Sequence, residues 1–298
     1  MNATAIGIDL GGTRIKGVVI DAEGRIIAQR YYPVEGDNWK QVIIDTVEEL
    51  RSIVPGHHLV GISAPGIPDE ENSCIAHMPG RLQGLEGLLW NKVLGTDTCV
   101  ANDAIAAMAA EARFGAAKNT RHAVLMTLGT GVGGAIWMNG QIYQGAFQKA
   151  GHAGHISVDH EGDPDITGMP GSLEDAIGNC TIQKRSLGRY NDTHDLVKDY
   201  QKGDYFAQWV WLSSIRKLSI AIASITNLLS PEMIILGGGI TEAGDLLFEP
   251  LRQFLSLYEW RAGGQQTKVL KTEFGDLAGA IGAAGFAMMK QDLLKKDI

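Results

Sequence analysis

The strongest constraint on the fold is an internal similarity between two glycine-turn segments. Leu10-Gly-Gly-Thr-Arg-Ile-Lys-Gly-Val-Val-Ile20 can be laid over Leu128-Gly-Thr-Gly-Val-Gly-Gly-Ala-Ile-Trp-Met138, roughly 118 residues later. Each segment follows an apolar run, turns on glycines and leads into a second apolar run. Each second run is closed by a tight turn, Asp21 to Gly24 in one case and Asn139-Gly140 in the other. Asn-Gly between alternating apolar residues is a strong hairpin signal, because both positions must accept positive φ. A pair of such hairpins in one chain points to a duplicated α/β fold with a cleft between its halves.

The rest of the 298-residue chain fits that frame. Residues 4–9, 14–20 and 25–32 read as strands. The spacing of Val42, Ile43, Val47, Leu50 and Ile53 predicts a helix over 39–54. Strands follow at 58–63, ending in Ala64-Pro65-Gly66, and at 97–101, then an Ala-rich helix over 103–114. In the second half, strands are expected at 122–128, 132–138 and 232–236. Helices are expected at 174–186, 194–202, 204–228, 243–257 and 277–294, with a glycine-rich loop over 145–172. Hairpins mixed with βα units argue for mixed sheets flanked by helices rather than a purely parallel sheet.

Composition narrows the function. Hydrophobic residues make up 45% and charged residues 20%, as in folded globular proteins. A net charge of −8 argues against a nucleic-acid-coating surface. No apolar run reaches the ~20 residues of a membrane span, and the N-terminus lacks a signal-peptide pattern. The 3 cysteines, Cys74, Cys99 and Cys180, are scattered. That argues against a disulfide framework or a cysteine-rich zinc site and for a reducing cytoplasm.

Several residues could carry chemistry. Gly11-Gly12-Thr13 and Gly129-Thr130-Gly131-Val-Gly133-Gly134 permit close backbone approach and can present N–H groups to anions. Taken singly, each reads more readily as an ordinary hairpin turn; taken together, they suggest a polyphosphate cradle. Neither matches the Gly-x-x-x-x-Gly-Lys-Ser/Thr loop, and the second lies between strands, which argues against a Rossmann fingerprint. Asp9, at a strand end, could hold Mg²⁺ or be a turn residue, and Lys16 reads as solvated or ion-paired. Of Asn102 and Asp103, either could cap the following helix, and a carboxylate there could accept a hydroxyl proton. His152 and His155 could be metal ligands (with His160 or Asp159), hydroxyl partners or a surface pair. Glu174 falls in the first turn of a helix, where the dipole favours an acid. Gly237-Gly238-Gly239, between a strand and a helix, is either a nucleotide-approach turn or a tight connection.

In this order the segments resemble the ROK family of sugar kinases and repressors, within the hexokinase–actin–heat-shock ATPase group. The resemblance runs from Ile6-Gly-Ile-Asp9-Leu-Gly-Gly-Thr13 to Ala278-Gly-Ala-Ile-Gly-Ala-Ala284. It implies a two-lobed actin-like (ribonuclease H-like) fold with a central cleft. One lobe would be residues 1–116 plus 283–298 and the other 117–282. It implies an ATP-dependent sugar kinase with Mg²⁺, cytoplasmic and homodimeric, whose partners are ATP and a small sugar. By the resemblance, Asp103 is the general base for a sugar hydroxyl, usually the 6-OH. Asn102, His155 and Glu174 match sugar-binding positions, with Gly66 beside them. The turns at Gly11–Thr13 and Gly129–Gly134 would hold phosphates, and Gly237–Gly239 would lie against adenosine.

Three departures from the family pattern bear on substrate and metal. His152 stands in Gly151-His-Ala-Gly-His155 where most members have Glu, a change shared by N-acetylmannosamine kinases. The zinc cysteines are replaced by Asp165, Thr167 and Ser172, so no zinc is expected. Arg81 stands where a family Asn is usual and would favour an anionic or unusual substrate. A regulator of this family would need an N-terminal helix-turn-helix, and the first expected strand begins by residue 4. A non-catalytic sugar sensor is the other alternative to a kinase.

Overall fold

In a computed structural model, residues 4–54, 56, 58–78 and 82–295 are described. The chain divides into two compact units, Met1–Thr120 with Ile142–Ala150 and Thr272–Ile298, and Arg121–Gln141 with Gly151–Lys271.

The first unit opens with the strands β1 (Ala5–Leu10), β2 (Arg14–Ile20) and β3 (Ile26–Pro33), then helix α1 (Trp39–Ile53) and β4 (Leu59–Ser63). Two short strands follow, β5 (Ile67–Pro68) and β6 (Ile75–His77), then α2 (Trp90–Leu94), β7 (Thr98–Ala101) and α3 (Asp103–Arg113). Its sheet has the order β3-β2-β1-β4-β7. β1 is antiparallel to β2 and parallel to β4. Period-two alternation is absent from β1 because both faces are covered, as a central strand requires. Ile6, Ile8, Val60 and Ile62 are fully buried with Trp39, Ile43, Val47 and Leu50 of α1. Each such side chain contributes about 1.5–3 kcal/mol.

The same unit ends in α9 (Ala278–Leu294), whose residues Ala280 to Met288 are all buried. This helix lies against the sheet at backbone distance. A Cβ on Gly7 would fall 1.9 Å from the Ala280 carbonyl oxygen, and one on Gly61 would fall 1.8 Å from that of Ala283.

The second unit holds β8 (His122–Leu128), β9 (Val132–Met138), β11 (Met233–Gly237) and β12 (Lys268–Lys271); the edge strand of their sheet, β10 (Gln141–Tyr143), begins at the last residue of the unit's first segment. The sheet order is β10-β9-β8-β11-β12. Its helices are α4 (Leu173–Ile177), α5 (Ile182–Arg185), α6 (Thr193–Gln201), α7 (Tyr205–Leu229) and α8 (Asp245–Tyr258). α7 starts on Asp204, whose side chain accepts from the Ala207 N–H at 2.8 Å, and ends on Ser230 in the left-handed region. Its apolar face, with Trp211, Ile215, Leu218 and Ile222, joins Val124, Met126, Ile234 and Leu236 in one core. No helix among the described residues is long and apolar enough to cross a membrane.

Two expected helices differ. The helix expected over 174–186 is broken into α4, a 3₁₀ turn at Asn179–Thr181 and α5, because Gly178 takes an extended ψ of 146°. The helix expected from 243 begins at Asp245, after a 3₁₀ turn over Gly239–Ala243. Gly244 adopts φ 56°, ψ −131° between the two.

Candidate active site

In the first unit the candidate residues gather at the carboxyl ends of β1, β4 and β7. Asp9 lies opposite Ser63 in the β1–β4 register, and the Ser63 hydroxyl donates to Asp9 Oδ1 at 2.9 Å. Lys16 Nζ is 3.6 Å from the other Asp9 oxygen and donates to Asp276 Oδ1 at 2.7 Å, so Lys16 is ion-paired rather than solvated. Burial pushes the Asp9 acid above its ordinary value, and the like charge of Asp103 adds to this, while Lys16 and Ser63 pull it down. A Cβ on Gly279 would fall 2.5 Å from the Asp9 carboxylate, so α9 closes over that side. A buried acid with a neighbouring carboxylate is one whose charge a divalent cation would stabilise.

The turn after Asp9 is open. Gly11 N–H donates to Arg14 O at 3.1 Å, Thr13 O accepts from Val34 N–H, and nothing lies within 4 Å of a Cβ built on Gly12. Of the Asn102-Asp103 pair, Asn102 is the helix cap. It is 6% exposed, and its Oδ1 accepts from the Ile105 N–H at 2.7 Å. Asp103 is the first residue of α3 and is exposed, with Oδ1 accepting from the Ala104 N–H at 2.9 Å. Gly66 has φ +110°, and a Cβ there would fall 2.6 Å from Ile75 and 2.8 Å from Met78, so the turn after β4 admits only glycine. Arg81 lies outside the described residues.

In the second unit the counterpart turn is clamped. Gly129 N–H donates to Gly131 O at 2.9 Å. The carbonyls of Gly129 and Thr130 accept from the N–H groups of Asn179 and Cys180 at 2.9 and 2.8 Å. Glu174, in the first turn of α4, reaches back so that Oε2 accepts from the Val132 N–H at 2.9 Å. Gly133 N–H donates to Thr127 Oγ1 at 3.2 Å. Gly237 ends β11 opposite Thr127, and Gly238 (φ +87°) passes so close to Leu128 that a Cβ would fall 2.3 Å from its oxygen. Gly239 faces open space.

His152 precedes a 3₁₀ turn at Ala153–His155, and its carbonyl accepts from the His155 N–H at 3.1 Å. His155 Nδ1 lies 3.4 Å from Asp165 Oδ2. The other histidine and acid that could have joined them as metal ligands make other contacts. Asp159 pairs with Lys217 at 2.9 Å, and the exposed His160 faces Glu161. Among the described residues no group of three His, Cys, Asp or Glu is placed to hold a metal. The sequence does not single out Ser63 or Thr127, and it presents Asp165 only in place of a zinc cysteine. For Ser63 the available signal was its place at the end of an apolar run whose register lies beside Asp9.

Comparisons with known proteins place the chain in a family. A glucokinase of Halalkalibacterium halodurans is 30% identical over 322 aligned residues, spanning 98% of this chain and 97% of that protein. The crystal structure of a ROK family glucokinase from Streptomyces griseus, in complex with glucose and AMPPNP, superposes with a TM-score of 0.80 at 27% identity, covering 96% of this chain and 100% of that one. A ROK hexokinase from Thermus thermophilus shares the fold with a TM-score of 0.84 at 24% identity, over 97% and 99% of the two chains. The sheets flanked by helices are thus those of the actin-like ATPase fold. The ROK family model itself matches residues 5–291, and the chain belongs to that family.

Proposed function

We propose that the protein is an ATP-dependent kinase of a hexose or N-acetylhexosamine, with Asp103 as general base and Mg²⁺-ATP as the phosphoryl donor. The observation that carries the reading is the division of roles at the start of α3. Asn102 supplies the cap, and the exposed Asp103 carboxylate, whose Oδ1 accepts from the Ala104 N–H, stands beside it as the first residue of the helix. In the reaction Asp103 takes the proton of the sugar hydroxyl as the hydroxyl oxygen attacks the γ-phosphorus and the bond to ADP breaks; a bound Mg²⁺ would neutralise phosphate charge. Such transfer asks mainly for positioning and charge neutralisation. Asp9 is the residue suited to the metal, directly or through water. Gly11, Gly12, Thr13, Gly129, Thr130, Gly131 and Gly133 serve the phosphates, and Gly237, Gly238 and Gly239 serve the nucleoside.

By the family pattern Asn102, His152, His155, Glu174, Gly66 and Arg81 are the residues assigned to the sugar. A histidine at 152 favours an amino-sugar over glucose. We also read the protein as a cytoplasmic homodimer. Its unpaired cysteines suit a reducing compartment. Leu187, Tyr205 and Trp209, exposed by 81, 87 and 59% on the second unit, are the apolar surface such a dimer would cover.

The test is a coupled ADP-release assay over glucose, mannose, fructose, allose, N-acetylglucosamine and N-acetylmannosamine, repeated with Asp103→Asn. One or more sugars should turn over. The variant should lose about 10²–10⁴-fold in kcat while sugar KM stays within a few-fold. Full turnover in Asp103→Asn would remove Asp103 as the base, and sugar binding without ADP release in the wild type would replace the kinase reading by that of a sugar sensor.

A further inference from the structure

The segment between His155 and α4 is built around one carboxylate. The Asp165 side chain is fully buried. Its Oδ1 accepts from the Thr167 N–H at 2.8 Å, the Thr167 hydroxyl at 2.7 Å and the Met169 N–H at 3.1 Å. Its Oδ2 faces His155 Nδ1 at 3.4 Å, and the Ser172 hydroxyl is a further donor. Burial alone would raise this acid. The converging donors outweigh it and hold the carboxyl far below the usual range.

A second layer of backbone bonds closes around the same point. Asp165 N–H donates to Met169 O at 2.9 Å, Val158 N–H to Gly171 O at 2.9 Å, and Leu173 N–H to Ile156 O at 2.8 Å. Gly171, with φ +56°, has no room for a side chain, since a Cβ would fall 1.8 Å from Asp159 O. The knot therefore joins the 3₁₀ turn of His155 to the first turn of α4, which carries Glu174.

His155 and positions 165, 167 and 172 are where the family's zinc pattern puts one histidine and three cysteines. The donor set here does not fit zinc. Two of the four groups are alcohols, which keep their protons at neutral pH, and the Thr167 proton is already committed to Asp165.

We propose that the Asp165 carboxylate replaces the metal as the organising centre of this loop, with the charge pattern inverted. N–H and O–H donors surround an anion where thiolates would surround a cation. The chemical consequence falls on His155. A carboxylate offers only lone pairs, so Nδ1 carries the proton and Nε2 is left as an acceptor. On the kinase reading, to which this part of the inference is tied, Nε2 accepts from a sugar hydroxyl. Asp165 is then a positioning residue for substrate and touches no reacting atom.

The experiment uses the full chain at pH 8. Wild-type protein incubated with zinc and dialysed should retain no stoichiometric zinc, and a zinc-selective chelator should leave its turnover unchanged. ¹⁵N NMR of the imidazoles, with His155 assigned by the signal lost in His155→Gln, should show the Nδ1–H tautomer. Asp165→Asn should move His155 toward the Nε2–H tautomer and raise sugar KM about tenfold, the scale usual for removal of a ligand's supporting carboxylate, with kcat within about threefold and ATP KM unchanged. One tightly held zinc per chain, an Nε2–H tautomer in the wild type, or an Asp165→Asn protein with wild-type tautomer and KM would each overturn the proposal. If Asp165→Asn does not fold, the wild-type zinc and tautomer measurements still decide. They also decide if no sugar is phosphorylated, a failure that would count against the kinase reading alone.

Discussion

The two sheets have the same strand order, yet their matching ends are equipped differently. β1 meets β4 at Asp9 opposite Ser63, whereas β8 meets β11 at Thr127 opposite Gly237. The first pair supplies a carboxylate, a hydroxyl and the neighbouring Lys16. The second supplies a hydroxyl that accepts a backbone N–H, and then a run of glycines. The turns differ in the same sense. Leu10 pairs with Ile15 around an open loop, while Leu128 pairs with Val132 around a loop one residue shorter that Glu174, Asn179 and Cys180 clamp. One topology thus yields one end equipped with side-chain charge and one built for close backbone approach.

The backing of the sheets differs as well, and this sets the largest expected effect. Gly7 and Gly61 let the α9 backbone touch the first sheet. Leu125 and Ile235, at the matching register positions of the second, are fully buried side chains. Adding a single carbon to the first sheet should therefore cost more than removing one from the second. Gly61→Ala should destabilise the protein by about 3 kcal/mol or more through overpacking against helix backbone. Ile235→Val should cost about 1 kcal/mol. Urea unfolding of the two variants checks this, and a Gly61→Ala midpoint close to that of the wild type would break the comparison.

A smaller effect separates the two turns. A Cβ on Gly131 would fall 2.2 Å from Glu174 Oε2, while one on Gly12 meets nothing within 4 Å. In Gly131→Ala, Glu174 must swing away and release the Val132 N–H. That should cost about 1 kcal/mol and raise the KM of ATP several-fold. Gly12→Ala should stay within about 0.5 kcal/mol of wild-type stability. Equal loss of stability in both would mean that the first turn is as constrained as the second.

The strand pairs flanking each glycine turn were legible because an apolar run, a turn and a second run form a local pattern with fixed spacing. β5, β6 and β10 are two or three residues long, too short to show alternation. β12, Lys-Val-Leu-Lys, is a largely exposed edge whose partner lies far back in sequence. The break at Gly178 was hidden because its neighbours continue a helical pattern, and only its N–H bond to Glu174 O closes α4. At the site, acids ending strands or opening helices stood out. Ser63 did not, since its role depends on parallel pairing across 54 residues. Asp165 read as a lost zinc ligand, because the donors that make it a centre come from folded loop backbone.

The starts of the strands test the likeness of the two sheets most finely. In the first, His58, just before β4, bonds through Nδ1 to the Thr4 hydroxyl at 2.8 Å, just before β1. In the second, Glu232, just before β11, takes the same place, and its Oε1 accepts from the N–H groups of Arg121 and His122 at 2.7 and 3.1 Å as β8 begins. One unit staples its two central strands with a buried ring and the other with an exposed carboxylate. The Arg121 N–H above all, with that of His122, holds the Glu232 acid below its ordinary 4.5 against the opposing effect of burial. Its stabilisation is therefore present above the unfolded value and fades as the pH falls through the lower folded one. Because the group is exposed, Glu232→Ala should lose only about 0.5 kcal/mol at pH 7. The gap to wild type should close as thermal melts are taken below pH 4.5. A gap unchanged at low pH would show that the carboxylate is not the staple, and the equivalence of Glu232 with His58 would fail.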